Sequence, residues 1–348
     1  MAIAQGQQNV NAGGVAKLQT HIKGESLWFD AWRRLRRNRL AVLGAIIIIF
    51  AILVAVFANQ IAPKGFGDQI LADNNAAPLW VTQIFPSMIS KEAGGYVTIN
   101  NSYILGADNL GRDLLSRIIY GARVSLAVAF VGPFFSLLIG ITFGLISGYA
   151  GGRLDNLMMR IVDVMYAFPT LLLVILLMAF FRSSFAHNDP GTFAYSIGQV
   201  DQAMGGMLFI FIGVGITSWM NLARLVRGQI LSVREKEYIE AARSMGVNRR
   251  GIMFRHMLPN ILGPVIVSET LTIPTYISYE AFLSFIGLGV NPPTPSWGAM
   301  ISDGSHAIST YPNQAIFPAI ALFLIMFAFN FLGDGLRDAL DPRMRGVD

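Results

Sequence analysis

The sequence predicts an all-α polytopic membrane protein with six spans. Three observations lead there. The 348 residues are 53% hydrophobic and only 14% charged, with a mean hydropathy of +0.52; a soluble domain carries about 25% charged residues. Five runs hold no Asp, Glu, Lys or Arg: Leu40 to Pro63, Val124 to Gly152, Val164 to Phe181, Ala203 to Ala223 and Ser305 to Gly333. Each is long enough, or nearly so, to cross a hydrocarbon core with about 20 helical residues. A soluble fold could bury one such helix and hardly five. The third observation is the distribution of basic residues, which is strongly one-sided.

The spans are expected at about 40–62, 120–148, 160–181, 205–227, 260–286 and 314–334. The fifth is the least clean, because Glu269, Glu280, Pro264 and Pro274 interrupt it. Such residues are tolerated where a helix faces protein rather than lipid. An even number of spans puts both ends on one side. The N-terminal tail, the 149–160 loop, the 224–255 region and the C-terminal tail then hold 20 of the 26 Lys and Arg residues. That side is the cytoplasmic one. The first apolar run begins about forty residues in and reads as a retained anchor, not a cleaved signal.

Residues 1–24 are polar, Gly/Asn/Gln-rich and expected to be loosely held. LWFDAWRRLRRNR, Leu27 to Arg39, places Leu27, Trp28, Ala31 and Leu35 on one stripe among arginines. That pattern suits an interfacial helix, and the arginines also set topology. The largest external loop, 63–115, is too short for an enzyme domain of ordinary size. Near its end Asp108 or Asn109 could cap a short helix, and Arg112, Arg117 and Arg123 could anchor the next helix at the headgroups. Gly132, Gly140, Gly144 and Gly148 share a face of the second span, a packing signal. Pro133 and Pro169 predict local bends.

Several chemistries are poorly supported. Cysteine is absent, which removes thiolate and disulfide chemistry. His21, His187, His256 and His306 fall in four separate segments, unlike a metal site. Asp189 and Asp201 read as solvating the 182–204 loop. Ser116 and Asp113 have no histidine partner for nucleophilic work. No Gly-rich phosphate loop ending in Lys-Ser/Thr occurs. The pI near 9.6 reflects basic residues flanking spans, so no nucleic-acid partner is expected.

The most informative stretch is EYIEAARSMGVNRRGIMFRHMLPN, Glu237 to Asn260. It is charged, helix-favouring and set between apolar runs. Ser232 with Glu235 fits a capping box. Gly246 stops the first helix, and a second short helix is expected from Arg249 to Leu258. Two short helices about a glycine form a knob suited to a groove on another protein. A plain solvated connector fits the composition equally well.

This loop resembles the coupling motif of ABC importer permeases: Glu-Ala-Ala, three residues, Gly, nine residues, Ile, one residue, Leu-Pro. Glu240, Ala241, Ala242, Gly246, Leu258 and Pro259 match at full spacing, and His256 replaces the isoleucine. RHMLPN is the form usual in the dipeptide and oligopeptide branch. Further stretches resemble that branch's second membrane subunit, the DppC/OppC type: WRRLRRNRLAVLG from Trp32, LGADNLGRDLLSRIIYGARVSL from Leu105, GGRLDNLMMRIVDVMYAFPTLLL from Gly151 and SYEAFLSFIGLGVNPPTPSWGAMISDG from Ser278.

The resemblance implies a six-span type I ABC importer transmembrane domain with cytoplasmic N- and C-termini and an EAA-type coupling loop. It divides the chain into a tail with a basic amphipathic helix (1–39), a first span (40–62), an extracytoplasmic loop (63–119), a five-span core (120–334) carrying the coupling loop 229–259, and a tail (335–348). It implies a homologous second permease, two cytoplasmic ATPase subunits and an extracytoplasmic peptide-binding protein as partners. ATP and Mg belong to the ATPases, and no cofactor or metal is expected on this chain. Glu240, Ala241, Ala242, Arg243, Gly246, Arg250, Leu258 and Pro259 become the ATPase-facing set. Within the membrane, Asp163, Glu269 and Glu280 are candidates for internal salt bridges or, less directly, for the substrate path. Peptides are the implied cargo, with nickel, murein peptides or a glycan as alternatives. An ion-coupled secondary transporter would show two similar halves, which this chain lacks. A membrane enzyme would cluster its acids and histidines. A purely structural subunit would leave the charged loop unexplained.

Overall fold

The computed structural model describes residues 27–185 and 189–341. The expectations for residues 1–24, for His21 and His187, and for the end of the C-terminal tail lie outside them. Among the described residues, five helices are long and apolar enough to cross a membrane, or six if one bent pair counts as a single span. That matches the expected span number.

Helix α1, Leu27–Arg37, carries an Asp30–Arg34 pair at 3.1 Å. Ala31 is buried while Phe29 and Trp32 are exposed. Asn38 breaks from it and caps α2, Arg39–Val56, accepting from the Leu40 and Ala41 amides at 3.1 Å. The far end of α2 is closed by another helix. Arg123 donates to the carbonyls of Ala55 at 2.6 Å and Val56 at 3.2 Å, so it is a helix cap rather than a headgroup anchor.

Residues 63–113 form a folded cap. Its centre is Tyr103, fully buried, whose hydroxyl donates to Asp73 at 3.0 Å. The cap is tied to the last span by Gln314 and Asn313, which donate to the carbonyls of Ala107 and Leu105.

Asp113 caps α3, Leu114–Ala150, by accepting from Ser116. A π turn at Ser136–Gly140 follows Pro133 inside this helix. The extra residue of a π turn rotates everything beyond it by about 100°. The glycines therefore do not all face one neighbour. Gly132 lies under the Tyr276 ring, whereas a Cβ on Gly144 would come within 2.5 Å of the Ala223 carbonyl.

The third expected span is a broken one. Helices α4, Gly152–Tyr166, and α5, Thr170–Phe185, meet at 79°. Pro169 sits at this break; it disfavours the helical region for the residue before it. Next come α6, Phe193–Ala203, and α7, Met207–Arg234. Helix α7 packs along the second half of α3 where the small residues permit close approach. After it follow α8, Glu237–Ser244, and α9, Arg249–Phe285. Finally α10, Trp297–Ser305, precedes α11, Asn313–Leu340, which packs between α2 and α9. Helix α11 thus runs several residues past the expected end of the last span. With the bent pair as one crossing, α1, the α3–α4 turn, α8 and the end of α11 share one side. The cap, α6 and α10 share the other.

Candidate functional site

Residues 237–260 build a knob on the side shared with α1. Its construction explains the Glu-Ala-Ala-to-Gly spacing. Helix α8 ends in a paired carbonyl-capping turn: the Gly246 amide donates to Arg243 O at 3.0 Å and the Val247 amide to Ala242 O at 3.1 Å. Gly246 has φ +80°, the left-handed region that glycine adopts without strain. Ala242 is buried together with Ile239, so the small side chain at this position belongs to the knob's own interior. Ile239, Ile252 and Met257 join Leu145 of α3, Val226 and Ile230 of α7, and Ile261 of α9 in one apolar cluster. The knob is thereby fixed to three spans.

Its outer surface carries Glu237, Tyr238, Glu240, Ala241, Arg243 and Met245, and Met245 is 76% exposed. Arg250 and Pro259 are exposed and Leu258 is half-buried against the cluster. Three local expectations change. Ser232 lies within α7, and Lys236, at the N-cap position before α8, makes no side-chain capping bond, so there is no capping box. The Arg249–Leu258 helix is not separate, because it is the first part of the 37-residue α9, begun by Asn248 accepting from the Gly251 amide at 2.7 Å. Ala242, expected in the ATPase-facing set, instead faces inward beside Ile239, while Tyr238 and Met245 face outward. A π turn spans Ile252–Met257, with the Leu258 amide reaching Met253 O. Pro259 follows directly. Its ring would clash with the fourth preceding carbonyl in a regular α-helix, and the wider turn accommodates it.

Beneath the knob lies a pair of charges that sequence reasoning missed. Arg227 of α7 holds Asp155 of α4 through two bonds of 2.6 Å, and Ser147 also donates to Asp155. One turn away along α7, Arg224 pairs with Asp163 at 2.7 Å and lies 4.0 Å over the Tyr166 ring. Asp163 thus forms its salt bridge at an exposed position, where an internal one was expected. The signal available in the sequence was two acids on one segment and two arginines on another, all beside charge-free runs.

Glu269 and Glu280 are buried on an unbroken α9. Their partners are hydroxyls, contrary to the expected salt bridges. Glu269 accepts from Ser136 and from Tyr276, both at 2.9 Å. Glu280 accepts from Ser125 at 3.0 Å and Ser284 at 2.8 Å. Both carboxyl groups lie between α9 and α3, where they join helices.

On the opposite side, Arg112 and Arg117 are buried. Asp108 accepts from Arg112 at 2.6 Å, lies 3.6 Å from Arg117, and organises the turn through the Leu110 and Arg112 amides. Asp303 of α10 lies 3.9 Å from each arginine. These arginines hold the cap and α10 against α3, so neither is a headgroup anchor, and Asp108 shapes a turn and does not cap a helix. Burial pushes the Asp303 carboxyl up, and Arg117 and Arg112 oppose that shift. Asp201 is buried as well and accepts from the Phe209 amide near the start of α7; it does not solvate a loop.

Residues 140–346 match the family model described as binding-protein-dependent transport system inner membrane component. Residues 26–78 match the N-terminal TM domain of oligopeptide transport permease C. The chain is 39% identical to the oligopeptide transport system permease protein OppC of Bacillus subtilis, covering 96% of this chain and 95% of that one. It is 41% identical to the OppC of Haemophilus influenzae, over 94% and 92%. Identity to the dipeptide transport system permease protein DppC of Bacillus subtilis is 38%, over 93% and 89%. With its five or six apolar helices and these matches, the chain belongs to the family of binding-protein-dependent transport system inner membrane components.

Proposed function

We propose that this chain is one of two membrane subunits of an ATP-driven importer of dipeptides or oligopeptides, and that its knob transmits ATPase closure to the spans. The observation that carries the reading is the knob's construction. An exposed helix bearing Glu240, Ala241 and Arg243 is joined through Ile239 and Ile252 to α3, α7 and α9. A force on that helix reaches three spans with little slack, because packed interiors shift between discrete arrangements.

Partners in this reading are a homologous permease, two cytoplasmic ATPases and an extracytoplasmic peptide-binding protein. Glu240 and Arg250 are the charged contacts at the ATPase surface, with Ala241 allowing close approach, while Arg243 turns to a cavity behind the knob. Leu258 backs the knob, and Pro259 with the π turn sets its angle to α9. Both termini lie in the cytoplasm by the basic-residue bias. ATP and Mg act on the ATPases. The peptide cargo is supported by the names of the relatives.

Membrane vesicles holding the whole assembly test this. Uptake of labelled di-, tri- and pentapeptides should require ATP and the binding protein, and should fall with Glu240→Lys while assembly in the membrane persists. ATP-independent uptake, or unaltered transport in Glu240→Lys, would overturn the reading.

A further inference from the structure

A cavity of about 820 Å³ opens between the end of α3, the end of α7 and the knob. Its polar lining is Arg234, Arg243, Arg249 and Glu235. Ile146 and Tyr149 of α3, with Ile252, form apolar wall. Charge in it is unbalanced. Glu235 pairs with Arg234 at 3.2 Å, and Arg234 also donates to Gly148 O at 3.3 Å. Among the described residues no carboxylate lies within ion-pair reach of Arg243 or Arg249. Arg249 is moreover the first residue of α9. The positive end of a helix dipole disfavours a cation there and favours an anion. The paired turn at Gly246 brings Arg243 and Arg249, from opposite sides of it, to one cavity.

We propose that this cavity binds the phosphate of an anionic phospholipid, with the guanidiniums on the phosphate and the ends of the spans against the glycerol and first acyl carbons. The cavity opens at the ends of apolar spans on the side richest in basic residues, where basic pockets between helices take anionic headgroups. An amphiphilic lining suits a lipid better than a free anion. This site lies beside the coupling surface, yet lipid binding is independent of whether that surface couples ATP to transport.

The test is lipid retention by the intact membrane complex, delipidated and titrated with phosphatidylglycerol in phosphatidylcholine vesicles, with bound lipid counted by native mass spectrometry. Each cation near the surface contributes about fivefold, so the double variant R243Q/R249Q should bind phosphatidylglycerol about thirtyfold more weakly. R249Q alone should lose about fivefold and serves if the double variant does not assemble. R153Q, an exposed cation on nearby α4 outside the cavity, should leave retention unchanged. Inorganic phosphate at equal ionic strength should not displace the lipid. Wild-type retention in R249Q and R243Q/R249Q would overturn the proposal. So would displacement by phosphate, which would assign the cavity to a free anion. Loss of the ATPases with lipid retention intact would assign it to an acidic protein surface instead.

Discussion

Replacing Gly246 separates backbone strain from steric collision, because its surroundings are empty. A Cβ added there meets no atom within 4 Å, and φ is +80°. The penalty for a side chain is therefore conformational. An L-residue in the left-handed region costs about 1–2 kcal/mol, with β-branched residues at the upper end. Stiffening of the unfolded chain offsets about 0.4–1 kcal/mol. For Gly246→Val the net local loss is about 1 kcal/mol, or about a fivefold rise in opening of the turn. Asparagine visits this region readily, so Gly246→Asn should stay near wild type. Hydrogen exchange at the Gly246 and Val247 amides, the donors of the paired turn, reads this directly. Valine should speed exchange there about fivefold and lower peptide uptake per ATP hydrolysed, without loss of membrane insertion. Equal exchange in the valine and asparagine variants would refute the strain argument. Wild-type uptake and ligand-stimulated ATPase activity in Gly246→Val would refute the turn's role in coupling.

Three further outcomes are expected. Ala242→Leu overpacks a position that is 1% exposed and should destabilise the assembly by about 1–3 kcal/mol; Ala241→Leu, on the outer face, should leave thermal unfolding unchanged while reducing co-purification of the ATPases. Arg227→Ala leaves Asp155, with 8% side-chain exposure, as a buried charge without its cation, at about 3–5 kcal/mol. Adding Asp155→Asn should recover part of that loss of thermal stability, and equal stability of the single and double variants would count against a charge effect. In the cap, burial first, then the hydrogen bond to Asp73 and its charge, push the Tyr103 hydroxyl from 10.0 up to about 12. The folded cap keeps the phenol proton at pH values where the unfolded chain has released it. The stabilisation is therefore complete below pH 10 and fades as pH rises toward 12. An alkaline tyrosinate titration of wild type against Tyr103→Phe should show one late-titrating tyrosine, and a tyrosine ionising near its ordinary value would contradict this.

What the sequence determined by itself is whatever depends on neighbours along the chain. Runs without charge located the spans, since each needs only its own length and hydropathy to enter lipid. Asymmetry of arginine and lysine predicted an orientation for the same reason. Gly246 was legible as a helix stop because the capping turn is built within six residues of one strand of chain. The spacing of Glu240, Ala241, Ala242 and Gly246 was legible as a motif by resemblance, while its physical basis, a buried Ala242 whose carbonyl closes the turn, needed the structure.

Tertiary structure decided every question of which groups meet. Glu269 and Glu280 were visible as intramembrane acids, but their partners on α3, Ser136 and Ser125, sit more than a hundred positions away. Arg112 and Arg117 looked like headgroup anchors until the fold of the cap brought Asp108 and Asp303 beside them. Asp155 and Arg227 were undistinguished charges until α4 bent against α7. The cavity beneath the knob exists only because three helix ends converge. Charge balance, cavities and inward faces are set by the register between helices, which hydropathy and local spacing do not encode, so these were settled only when α3, α7 and α9 packed together.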